Sequence, residues 1–110
     1  MATVLDEIFV PLALEMVGQF GKVVSHDPVG GEADQDVHAL IEAPEPSDFP
    51  GALVAKGARK LSIAGAEFDT APKYGDRFTI DGRAYTVPEK GVAPIYSGEQ
   101  VALYLILAAY

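Results

Sequence analysis

Phe78 and Ile80 alternate with Arg77 and Thr79, and Tyr85 and Val87 with Ala84 and Thr86, on either side of Asp81-Gly82. That pair is a two-residue type I′ turn signal, because both central positions require positive φ and glycine adopts it without steric cost. A hairpin closing there sets Ile80 opposite Arg83 and Phe78 opposite Tyr85. Phe78, Ile80, Tyr85 and Val87 then share one face, and Arg77, Thr79, Ala84 and Thr86 the other. One face is expected against a core and the other against water or a partner.

The remaining pattern is also mostly extended. Lys22–His26, Val37–Ala43 and Ala58–Gly65 read as strands, the last prolonged past a bend by Glu67–Asp69. The closing run is apolar on both faces: Val101, Leu103, Leu105 and Leu107 on one, Ala102, Tyr104, Ile106, Ala108 and Tyr110 on the other. Such a strand is expected to be covered twice, by the sheet interior and by a helix or a neighbouring subunit. Residues 88–99 read as a loop leading into it. The N-terminal segment differs, since Leu5, Ile8, Phe9, Leu12, Met16 and Phe20 recur every three or four residues and predict a short helix over about 4–20. Thr3 is its expected N-cap, Pro11 its kink or true start, and Gly18 or Gly21 its stop. The expected fold is mainly β, a small antiparallel β-barrel or sandwich with this N-terminal helix, in a single domain over residues 1–110.

Residues 44–57 carry three prolines, two glycines and no sustained period. They predict a long excursion whose apolar tip is Phe49, Leu53 and Val54, and connections of this length are often functional. Phe49, Leu53, Val54 and Lys56 are therefore expected protein contacts, with Arg59 and Lys60 as charge partners for an acid-rich surface. The loop is expected to be mobile alone and ordered on assembly.

Charge sharpens this picture once the chain is divided. Residues 1–50 hold ten acids and one base, Lys22, whereas residues 51–110 hold six acids and seven bases, within a net charge of −8. Complementary poles orient docking between copies. Duplex DNA is disfavoured, because phosphate binding calls for clustered bases with little opposing charge. A nucleic-acid surface would have to be assembled from Arg59, Lys73, Tyr74, Arg77 and Arg83. The first residues carry acids instead of a positive leader, and no apolar run approaches the ~18 residues of a membrane span, so neither secretion nor membrane insertion is expected.

Chemistry is sparse. The chain has no cysteine, which removes thiolate ligands, thiol nucleophiles and disulfides. His26 and His38 are the only neutral-pH bases, and although Ser25 and Asp27 flank His26, neighbours on a strand point to opposite faces, so their adjacency is no evidence for a relay. Asp34, Asp36 and His38 have a spacing that places ligands on one side of an extended chain, without a calcium-loop pattern. A pocket near His26, Asp34, Asp36 and His38 is the metal- or ligand-binding enzyme alternative. Gly30-Gly31 lacks the Lys-Ser or Lys-Thr of a phosphate loop. No catalytic, cofactor or metal residue is assigned, and no cofactor is expected.

The order of these segments resembles the head-tail joining protein family of long-tailed phages and prophages, whose type is the small head-tail joining protein of phage lambda. The resemblance rests on Phe20-Gly21, Val37 to Glu42 followed by Ala-Pro, the long connection, Leu61-Ser-Ile, the Tyr74 to Val87 hairpin and the apolar closing strand. It implies a non-enzymatic structural protein, working as a ring of six copies beneath the portal and connector. Its implied partners are the connector or portal-proximal protein and a tail-completion protein. Its implied location is the head-tail joint of the virion, and host cytoplasm before assembly. A tail terminator or other tail-completion role remains the alternative within phage assembly.

Overall fold

The computed structural model describes residues 21–110. The expected helix over about 4–20, with Thr3 and Pro11, lies outside the described residues. Seven strands follow: β1 (Lys22–Asp27), β2 (Gln35–Glu42), β3 (Arg59–Ala64), β4 (Arg77–Ile80), β5 (Arg83–Thr86), β6 (Val92–Ser97) and β7 (Gln100–Ala108). They form one sheet in the order β5-β4-β1-β2-β3-β7-β6, and every neighbouring pair is antiparallel. The sheet curls until β5 meets the chain just beyond β7. Thr86 N donates to the Ala109 carbonyl at 2.6 Å, and Ala109 N donates back to Thr86 at 3.0 Å. The result is a half-barrel.

The hairpin forms in the expected register, with Ile80 opposite Arg83 and Phe78 opposite Tyr85. Asp81 and Gly82 take φ of 51° and 81°, the mirror-image turn whose twist matches the flanking strands. Alternation then assigns the faces. Val24, Val37, Ala39, Leu61, Ile63, Phe78, Ile80, Tyr85, Val87, Ile106 and Ala108 come from six strands and the residue after β5 to fill the concave side as one core.

Three expectations change. Residues 88–99 are not simply a loop: Val92–Ser97 is the edge strand β6, joined to β7 through Gly98-Glu99 with Gly98 at φ 66°. Pro94 obscures the strand, yet at an edge its missing amide costs no ladder bond. A shift in register between Ile95 and Tyr96 further breaks the pattern. Glu67–Asp69 does not prolong β3 either, since Gly65–Glu67 is a 3₁₀ turn that carries Phe68 inward against the core. There β3 runs so close to β7 that a Cβ on Gly65 would collide with the Val101 carbonyl. Gly65→Ala is accordingly expected to lower stability by about 1–3 kcal/mol, the usual cost of overpacking, as read from urea unfolding.

The third change concerns residues 44–57. Phe49, expected at an exposed tip, is 1% exposed. It packs with Ala58 and Leu107 on the convex side, and Ala52, Val54, Ala93 and Leu105 surround them. The second face of β7 is thus covered locally by this chain's own loop, where a helix or another subunit was expected. A large aromatic ring gains more by covering the free Leu107 face than by facing water. A 3₁₀ turn at Pro46–Asp48 and an ion pair from Lys60 Nζ to Asp48 Oδ2 at 3.2 Å fasten the loop to β3.

Candidate interaction surfaces

β1 runs between two chemically different ends of the half-barrel. At its start, Lys22 lies beside Ile41, Arg59, Ile80, Asp81, Arg83 and Tyr85, which line an open cavity of about 480 Å³. Strand pairing brings them together, because the starts of β1 and β3, the end of β2 and the β4–β5 turn all reach this end. Three cations surround a partly apolar floor, and Asp81 supplies one opposing charge through its ion pair with Lys22. Arg83 sits 4.4 Å over the Tyr110 ring, a cation–π contact. Arg59 Nη1 donates to the Gly57 and Ala58 carbonyls at 3.1 and 3.2 Å.

The opposite end holds the β1–β2 loop and the start of β2, with Glu32, Asp34 and Asp36 all exposed. Asp34 is held above the ordinary carboxylate range, first by a side-chain hydrogen bond with Asp27 and then by the like charge of that group. Beneath the loop, Asp76 is fully buried and gathers three donors. His26 Nε2 lies 2.7 Å from Oδ2, Lys73 N 3.1 Å from Oδ2 and Val29 N 2.9 Å from Oδ1. The His26 ring stacks on Phe78 at 4.8 Å and meets Phe68 edge-on at 5.1 Å. Its Nδ1 finds no hydrogen-bond partner among the described residues. Asp76 therefore ties β1, the β1–β2 loop and the turn before β4 together.

This geometry separates the groups of the enzyme alternative. His26 points into the core, whereas His38 lies on the other face, where Glu67 accepts from its amide at 2.7 Å and approaches its Nδ1 at 2.9 Å. Asp34 on the β1–β2 loop and Asp36 at the start of β2 are both exposed. Among the described residues no three His, Asp or Glu side chains group as metal ligands. The nucleic-acid surface also divides, with Arg59 and Arg83 at the cavity end. Arg77 lies beside Asp27 and Gly75 at the acidic end, next to Lys73 and Tyr74 in sequence.

The six expected contact residues divide by burial. Leu53 is 84% exposed and Lys56 and Arg59 are exposed, so all three face outward. Phe49 is core, Val54 packs beside it, and Lys60 is engaged with Asp48. Sequence reasoning passed over Asp76 and the Lys22 end. The signal for Asp76 was an acid directly before the alternating strand Arg77–Ile80, where solvent exposure was the simpler assumption.

Residues 5–105 match the family model described as Phage Head-Tail Attachment protein. No curated protein and no solved structure matched the chain. With the match running through nearly all of its length, the chain belongs to the phage head-tail attachment family. Its role is structural, in joining phage heads to tails.

Proposed function

We propose that this chain works as a six-copy ring at the head-tail joint of the virion, between the portal-proximal connector and a tail-completion protein, after accumulating in the host cytoplasm. The observation that carries the reading is the family match over 5–105, and the fold supplies a surface suited to it. Leu53 projects from a loop whose base is anchored by Phe49, and Lys56 and Arg59 lie beside it in the chain. An anchored loop with one exposed apolar side chain loses little entropy on docking, and a preformed connector multiplies weak contacts. Leu53, Val54 and Lys56 are the proposed connector contacts, Phe49 and Lys60 hold the loop in shape, and Arg59 lines the cavity at the start of β1 as a charge partner for an acidic surface.

Electron microscopy of particles made without this protein tests the reading. DNA-filled heads and finished tails are expected to accumulate separately, and purified chain added to such extracts is expected to join them. Normally joined virions would overturn it. A defect in the tails themselves would favour the tail-terminator role.

A further inference from the structure

The Lys22 cavity and the β1–β2 loop are complementary in charge but cannot meet within one molecule. Five residue steps of β1 separate Lys22 from Asp27, about 17 Å at the usual strand rise. Resting on the ring reading above, we propose that the cavity lined by Lys22, Arg59 and Arg83 receives Glu32 and Asp34 from the β1–β2 loop of a second copy of this chain.

The loop suits the cavity in several ways. Residues 27–36 carry four acids and no Lys or Arg. Among the described residues none of Glu32, Asp34 and Asp36 has an ion-pair partner, and neither do Arg59 and Arg83. Asp34 is held above the ordinary range first by its side-chain hydrogen bond with Asp27 and then by that group's like charge, and an incoming guanidinium favours its ionised form. Val29, at the turn of the same loop, is 57% exposed, and the cavity floor of Ile41, Ile80 and Tyr85 offers it an apolar surface. Arginine also suits a carboxylate better than a point charge does, since its fork donates two parallel hydrogen bonds.

A contact between opposite ends of successive copies is heterologous, and a heterologous contact closes into a ring when its rotation allows. Exposed ion pairs are individually weak, so two free copies do not form a stable dimer, whereas a templated ring accumulates the contacts.

Charge reversal tests the pairing in extracts of particles that lack the chain, with joined particles counted. Arg59→Glu with Arg83→Glu, and separately Glu32→Lys with Asp34→Lys, are each expected to reduce joining by about tenfold or more through like-charge contact. The four reversals combined in one chain are expected to restore joining. Full activity of either double variant would overturn the pairing. So would failure of the combined chain when its melting temperature matches wild type, which would assign the acid to another protein. Should the combined chain not fold, Asp34→Cys and Arg83→Cys chains, mixed and oxidised on the connector, decide the matter in this cysteine-free protein. Mixed disulfide dimers support the pairing, and their absence rejects it. If wild-type chain itself restores no joining, the head-tail reading has failed first and takes this pairing with it.

Discussion

Asp76→Ala is expected to cost about 3–5 kcal/mol of folding stability. The carboxylate is 0% exposed and receives His26 Nε2, Val29 N and Lys73 N. Alanine leaves the buried His26 Nε2 without its partner and removes the acceptor of the part-buried Val29 and Lys73 amides, and an abandoned buried donor costs about 1–3 kcal/mol. Whole domains are held by about 5–15 kcal/mol, so this one change consumes a large part of the margin. At about 4 °C per kcal/mol for a chain of this size, the melting temperature is expected to fall by some 12–20 °C. Asp76→Asn retains one acceptor oxygen and is expected to lose less. Urea unfolding followed by circular dichroism measures both, and an alanine variant within about 1 kcal/mol of wild type would show that the three contacts are replaceable.

The second large effect separates two apolar residues of one loop. Phe49→Ala removes a buried ring from the cluster with Ala58 and Leu107 and is expected to cost about 3 kcal/mol, or roughly 12 °C in melting temperature. Leu53→Ala changes a side chain that is 84% exposed and is expected to leave stability within about 0.5 kcal/mol. Its effect should appear in assembly, where losing an apolar anchor reduces head-tail joining by about tenfold. Thermal melts and in vitro joining, run on both variants, read the two quantities independently. Wild-type joining by Leu53→Ala would move the contact elsewhere, most directly to the Arg77 and Thr79 face of the hairpin. An unchanged melting temperature for Phe49→Ala would mean that the loop adds nothing to the fold.

The contrast between these residues marks what one-dimensional pattern carries. In a hairpin the partner of each residue lies a few positions away, so turn chemistry at Asp81-Gly82 sets the register and alternation sets the face. Phe78, Ile80, Tyr85 and Val87 were readable as core for that reason. The two-faced apolar character of β7 was readable too, because both faces of one strand are visible in its own sequence. Phe49 and Leu53 were not distinguishable, since both are large apolar residues in a segment without period. The difference between them is the position of Leu107, more than fifty residues away.

The same reasoning covers the polar residues. Asp76 and His26 lie fifty positions apart, and nothing local to either announces a buried pair. Lys22, Arg59 and Arg83 belong to different strands and converge only because the sheet order places those strand ends together. The chain's own sequence determined its extended character, the hairpin and its register, the lack of thiol chemistry, the uneven charge and the resemblance to head-tail joining proteins. Each of these depends on residue type and short-range spacing. Tertiary structure alone decided which loop side chain is anchor and which is exposed, that β6 exists as an edge, that Asp76 is buried beneath the acidic loop, and that cations and acids occupy opposite ends of β1. Those properties depend on contacts between segments distant in sequence, and pairing across a curled sheet is what brings them within reach.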